Sequence, residues 1–288
     1  MALVISDLPK SDWWGRGIPE HQHNWMTKKH LLPRQDIIEH SYAHLVETLS
    51  ALAELTVIPF PDALDSPACY AHDFIFIRDS FISNNRGDVM MSNFSERTRQ
   101  VEATYMHGWL QRKGYTVRTV SQTAYVEGGE FHYLPQEQLL LAGINRNNKE
   151  GVDAVSKFLQ VKDVCIIKSE AYHIDTTVGI VLDVSGKCCA VLACRDAVSN
   201  YKELEEWCRR YGLHLIPLDG IDGMGKPQTP GTFAVNGLSI PGYLVSCAEF
   251  QTPGVEDVLT SQGIRHIIVP LHDLTFTGGA IHCLTNEL

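Results

Sequence analysis

Four short segments carry residue types that could do chemistry together. The first is Asp73-Phe-Ile-Phe-Ile-Arg-Asp79, an apolar run that ends in a charged pair. Its pattern predicts a strand over Phe74–Ile77, with Asp79 where the strand meets a loop. The second is Tyr125-Val-Glu-Gly-Gly-Glu-Phe-His132, with two glycines between the carboxylates of Glu127 and Glu130. Glycines there allow a tight turn and a close approach of ligand to backbone. The third is Tyr172-His-Ile-Asp-Thr-Thr-Val178. Read as a strand, it puts His173 and Asp175 on one face, a proton-transfer group beside a carboxylate that could bind a cation. The fourth is Thr277-Gly-Gly-Ala-Ile-His-Cys283, near the C-terminus. Gly278 and Gly279 lead into a short strand that carries Cys283, and its thiolate would be a nucleophile. Alternation along that strand would turn His282 away from Cys283, so His173 is the better base.

Taken singly, each segment has an ordinary structural explanation: a solvated loop charge, a plain turn, a satisfied core histidine, an inert thiol. Cysteine illustrates the point. The chain has eight, most in apolar runs such as Cys188-Cys-Ala-Val-Leu-Ala-Cys194, which read as reduced and buried. Neither Cys-x-x-Cys nor zinc-type His spacing occurs, and no metal or organic cofactor is expected.

These segments need a frame to bring them together. Periodicity predicts helices over Arg34–Leu55, Glu96–Lys113, Lys149–Leu159, Lys202–Tyr211 and Val255–Gln262. Pro33 opens the first, Ser95 is the candidate cap of the second, and Gly114 and Gly212 end the second and fourth. Strands are predicted over Val57–Phe60, Phe74–Ile77, Val89–Ser92, Thr116–Val120, Gln138–Ala142, Val164–Ile167, Gly179–Leu182, Ala190–Ala193, Tyr243–Ser246 and His266–Val269. Alternation of strands and helices makes the class α/β. One helix with several strands recurs roughly every 50–60 residues, which points to repeated modules rather than one open sheet. The Gly- and Pro-rich stretch Pro217–Pro253 reads as loops of the kind that line sites. No linker divides the chain, so residues 1–288 are expected to form one domain.

Composition narrows the partners. The chain has 288 residues, 44% hydrophobic and 20% charged, with net charge −10. Acidity argues against general nucleic-acid binding, and the absence of a long apolar run argues against a membrane span. The N-terminus lacks a signal-peptide pattern, so a cytoplasmic location is expected. A Gly-rich nucleotide-binding loop is absent as well. The expected partner is a small molecule; the oligomeric state is left open, a homodimer included.

In this order, Phe-x-Arg-Asp79, Glu127-Gly-Gly-Glu130, His173-x-Asp175-Thr and Gly278-Gly-x-x-x-Cys283 resemble the guanidino-group modifying, or amidinotransferase, superfamily. It includes arginine deiminase, dimethylarginine dimethylaminohydrolase, arginine dihydrolase and glycine amidinotransferase. The resemblance runs from about Asn24-Trp-Met26 to Cys283 and is nearest to the compact dimethylarginine and dihydrolase branches. It implies a five-bladed α/β propeller (the pentein fold) of ββαβ modules around a central site. It also implies Cys283 as nucleophile, His173 as acid and base, and Glu127 orienting His173 or binding the guanidinium. Asp79 and Asp175 would hold the guanidinium nitrogens. Arg97 and Arg146 stand where relatives bind a substrate carboxylate, with Arg99 competing with Arg97, and Asp73 falls where relatives contact an α-amino group. Glu130 stands where Asp is usual, Asn145-Arg-Asn-Asn148 replaces the usual Ser-x-Arg-Thr, and Asp79 replaces the Asn of the dihydrolase branch. The implied activity is hydrolysis of the guanidinium of arginine or a close derivative, with a guanidino compound as partner. Transfer of the amidino group to an amine, or binding without catalysis on the same fold, are the alternatives.

Overall fold

The computed structural model describes residues 1–10, 34–66 and 69–288. Pro33 and Asn24-Trp-Met26 lie outside the described residues.

A single pattern recurs four times among the described residues. Two strands pair antiparallel, a helix follows, and a third strand returns parallel to the second. Phe81–Ser83 pairs with Asp88–Met91, which Thr116–Arg118 joins in parallel. Phe131–Leu134, Leu139–Gly143 and Asp163–Ile167 repeat the arrangement. So do Val178–Leu182, Cys188–Cys194 and His214–Leu218, and then Leu238–Ile240, Tyr243–Ser246 and Arg265–Ile268. A fifth three-stranded sheet joins the ends of the chain. Ala2–Ser6 pairs antiparallel with Thr285–Glu287 and parallel with Glu54–Ile58. The result is a mixed α/β fold of small sheets. Parallel return of the third strand requires a crossover, and a helix supplies it each time.

Those helices are α1 (Gln35–Leu52), α2 (Gln100–Arg112), α3 (Lys149–Leu159), α4 (Tyr201–Tyr211) and α5 (Val255–Ser261). Each covers its sheet with an apolar stripe at helical spacing. In α4, Leu204, Trp207 and Cys208 pack with Cys165 and Val191 into one buried cluster. Gly212 ends α4 in the left-handed conformation that the sequence implied. Among the described residues, no helix is long and apolar enough to cross a membrane.

Departures from the expected elements fall on the chemistry-bearing segments. Phe74–Ile77 is not a strand; His72–Ile75 and Ile77–Ser80 are two 3-10 turns. The run is buried on all sides, so its apolarity does not report a strand face. Nor is His173–Thr177 a strand: Ile174–Thr176 is a 3-10 turn. Thr176 and Thr177 hydroxyls donate back to the His173 and Ile174 carbonyls, offering the backbone a turn instead of a ladder. Cys283 likewise lies on a short helical turn, α6 (Ile281–Leu284), with Thr285 Oγ1 donating back to Ile281. Pro217–Pro253 holds more than loops, since it includes a two-stranded hairpin and two strands of the last sheet. Ser95 does not cap α2, which opens instead from a 3-10 turn at Arg97–Arg99.

Candidate active site

The segments leave their sheets as tight turns and meet at one cleft. Its walls include Asp73, Phe76, Asp79, Arg99, Tyr172, His173, Thr277 and Cys283, and about 360 Å³ of empty space lies within it, open to solvent.

His173 is its most constrained group. Its ring is buried, Nε2 lies 2.9 Å from Glu127 Oε2, and Nδ1 lies 3.4 Å from Asp79 Oδ1. Burial alone would lower its pKa. Asp79 and Glu127 overcome that and raise it to about 9, so the imidazolium persists at neutrality. Burial pushes the Glu127 carboxyl the other way, yet the hydrogen bond from His173 holds it at about 2. Ser95 N and Oγ both donate to Glu127 Oε1, at 3.0 and 2.8 Å, which is what Ser95 does in place of capping a helix. Gly129 makes the approach possible. A Cβ there would stand 2.7 Å from both Asp79 Oδ1 and His173 Nδ1. The paired glycines thus admit protein backbone and side chains, not a ligand as the sequence suggested.

Asp175 is fully buried, and its Oδ2 accepts from His282 Nδ1 at 2.8 Å and from the Cys283 thiol at 3.3 Å. His282 and Cys283 therefore serve one carboxylate rather than opposite faces, because a helical turn replaces the expected strand. Burial, then Asp175 and Asp79, raise the Cys283 thiol well above its usual range. Burial also raises both Asp79 and Asp175. Two atoms stand out. Asp79 Oδ1 and Asp175 Oδ1 are buried and make no hydrogen bond among the described residues. An unmatched buried carboxylate oxygen is costly, and it calls for a donor.

The arginines sort by burial. Arg99 is buried, with Nη1 2.7 Å from Asp79 Oδ2 and Nη2 2.8 Å from Glu102 Oε2. Arg97 is exposed, so of the competing pair it is Arg99 that reaches the cleft. Arg146 packs over the Tyr172 ring at 4.6 Å, with Nη2 3.0 Å from Glu96 and Nε 3.4 Å from Glu127. Asp73 lines the cleft, and its carbonyl accepts from Arg99. Glu130, expected as a substrate contact, turns its carboxylate to the backbone. Its two oxygens accept from the Arg146 and Ile174 backbone amides at 2.7 and 3.0 Å, so it ties two loops together.

Sequence reasoning missed Asn236. Its fully buried amide touches Cys283, Ala280 and Asp175 from the neighbouring sheet. The only signal was its place in the Gly-rich stretch Pro217–Pro253, which marked no single residue.

No protein-family model matches the chain, and no curated protein matches it by sequence. Solved structures do. The N-terminal domain of ArgZ, an arginine dihydrolase from the ornithine–ammonia cycle in cyanobacteria, was captured with substrate in a cysteine-to-serine mutant. It is 20% identical, with TM-score 0.80, over 99% of this chain and 97% of that one. AgrE in complex with ornithine and NAD+ is 19% identical with TM-score 0.80, and this chain spans 38% of it. DDAH from Pseudomonas aeruginosa, a cysteine-to-serine mutant holding citrulline, is 14% identical with TM-score 0.73 over 100% of this chain and 98% of that one. At these identities the likeness establishes architecture: the chain has the pentein-type fold shared by the arginine dihydrolase, AgrE and DDAH.

Proposed function

We propose that the chain is a hydrolase of the guanidinium group of arginine or a close derivative, acting through a covalent amidino-thioether on Cys283. The five ββαβ modules are read as five blades around the cleft, in one catalytic domain over residues 1–288. A single observation carries the proposal. Two carboxylate oxygens without a hydrogen bond among the described residues, Asp79 Oδ1 (3.4 Å from His173 Nδ1) and Asp175 Oδ1, belong to the residues that flank a thiol and an imidazolium. A planar cation with several N–H donors would satisfy both. The structural neighbours that hold arginine-dihydrolase substrate, ornithine and citrulline support the same ligand class.

Guanidinium is resonance-stabilised and a poor electrophile, so positioning must do much of the work. With its nitrogens on Asp79 and Asp175, its central carbon faces the sulfur of Cys283. The bound positive charge offsets the two carboxylates that disfavour the thiolate, and the thiol proton leaves to solvent. Thiolate attack forms the C–S bond. His173, an imidazolium held by Glu127, gives its proton to one nitrogen, and the C–N bond breaks to release ammonia or an amine. Neutral His173 then takes a proton from water as the water oxygen attacks the amidino carbon. Collapse expels the thiolate and leaves the urea-type product.

Two carboxylate oxygens that lack a hydrogen bond suit an unsubstituted guanidine, because a dimethylated nitrogen has no proton to give. Incubation with arginine, methylarginines and agmatine, with assay of ammonia, methylamines, citrulline and ornithine, tests the reading. We expect ammonia from an unsubstituted guanidine and a covalent adduct on the Cys283 peptide. Silence from every guanidine would sink it. Turnover that requires glycine or another amine would select transfer over hydrolysis.

A further inference from the structure

The cleft explains how a guanidinium could be held, but burial and the two nearest carboxylates oppose ionisation of Cys283. Cys283 is buried, its S–H points at the Asp175 carboxylate 3.3 Å away, and Asp79 adds a second negative charge. A group that favours the thiolate must come from elsewhere, and the neighbouring sheet provides one.

Asn236 precedes the strand Leu238–Ile240 and is 0% exposed. Its Oδ1 accepts from Ala280 N at 3.0 Å and from Cys283 N at 3.3 Å. Its Nδ2 donates to the Asp175 carbonyl at 2.8 Å and to Cys283 Sγ at 3.2 Å. The Asn236 backbone carbonyl also accepts from His282 N at 3.0 Å. These partners allow one amide orientation. Ala280 N and Cys283 N only donate, and the Asp175 carbonyl only accepts, so a flipped amide would set donors against donors and acceptor against acceptor. An N–H is therefore directed at the sulfur by the surrounding backbone.

We propose that Asn236 is the positioning residue of the nucleophile: it fixes the Cys283 turn through Oδ1 and donates an N–H to the sulfur as thiolate through Nδ2. This inference rests on the reading of Cys283 as nucleophile but not on any particular guanidine. A hydrogen bond to a charged acceptor is roughly twice as strong as one to a neutral acceptor, so this contact strengthens when the thiol ionises. Asn236 favours the thiolate while the neighbouring carboxylates disfavour it.

The test measures thiol acidity directly. Carbamidomethylation of Cys283 by iodoacetamide is followed by peptide mass across neutral to alkaline pH, which separates it from the other seven cysteines. The wild-type chain is compared with Asn236→Asp, which keeps the acceptor and loses the donor, and Asn236→Ser, which adds no charge and is too short to reach the sulfur. Melting temperature is recorded for each. Loss of the donor should displace the alkylation midpoint upward by about one pH unit, with roughly tenfold slower labelling at neutral pH, in both variants. Wild-type midpoints in the folded variants would overturn the proposal, even if their melting temperatures fall. Should Asn236→Asp fail to fold, Asn236→Ser decides alone. A displaced midpoint without turnover of any guanidine would uphold the role of Asn236 and sink the proposed function instead.

Discussion

Two cavities flank one short turn, Cys283 lining the first and the adjacent His282 the second, and they use similar residues to opposite ends. The cleft described above has Asp79, Arg99 and His173 beside Cys283, with Asp175 buried behind the sulfur, and two of these carboxylate oxygens make no hydrogen bond among the described residues. The other cavity is lined by Arg78, His132, His282, Asn286 and Glu287 together with Phe81, Phe131 and Leu238. Its charges are closed upon themselves. Arg78 donates through both terminal nitrogens to Glu287, the Nη2 bond being 3.0 Å, and through Nη1 to Asn286 at 3.2 Å. Asn286 Nδ2 in turn donates to the Phe81 carbonyl. Burial pushes the Glu287 carboxyl up, and Arg78 overrides it and holds it at about 2. His132 is driven down to about 3 by burial and then by His282, so it stays neutral. The difference teaches how to sort buried charge. A complete network holds the fold together, whereas a network short of donors has acceptors to offer a ligand.

Substitutions can break that contrast. The largest effect belongs to Cys283→Ser, which should lower turnover by more than about 10³-fold while leaving the melting temperature near wild type, since the weaker hydroxyl cannot replace the thiolate. Steady-state rates and calorimetry check it together. His173→Gln should cost about 10²- to 10⁴-fold in kcat, the usual span for a general acid and base. Across the divide, Glu287→Gln should act on stability. It leaves the Arg78 guanidinium without its countercharge and should cost about 3 kcal/mol in denaturant unfolding, with KM unchanged. A large KM effect there would erase the distinction between the cavities. Asp79→Asn should raise KM for an unsubstituted guanidine by about tenfold or more, the loss of one charge-assisted hydrogen bond.

The smallest and most discriminating effect is in the pH dependence of stability. The pKa of His173 is raised in the fold, so its contribution is full below about 6.5 and is lost as pH rises through about 9. Glu287 is lowered, so its contribution is full above about 4.5 and is lost as pH falls through about 2. Unfolding midpoints measured against pH should lose part of their alkaline slope in His173→Gln and part of their acid slope in Glu287→Gln. The reverse pairing would show that the charges have been assigned to the wrong network.

The sequence by itself determined a good deal. Helical periodicity located five helices to within a few residues at most ends, and Lys149–Leu159 and Tyr243–Ser246 match the structure residue for residue. These elements bury one stripe or face, and a buried face leaves a period. The residue types at the cleft were legible too, because Asp79, His173, Asp175 and Cys283 lie in short motifs whose order survives folding. Tertiary structure alone decided their geometry. Threonine hydroxyls turn back on the chain at Thr176, Thr177 and Thr285, and they convert apolar runs that look like strands into the turns that aim His173, Asp175 and Cys283. Arg99 rather than Arg97 is buried because Asp79 and Glu102 are there to receive it, and Glu130 is spent on two backbone amides. Asn236 carries no local signal at all. It lies 47 positions from Cys283 in the chain, and only the packing of one sheet against the next brings its amide to the sulfur.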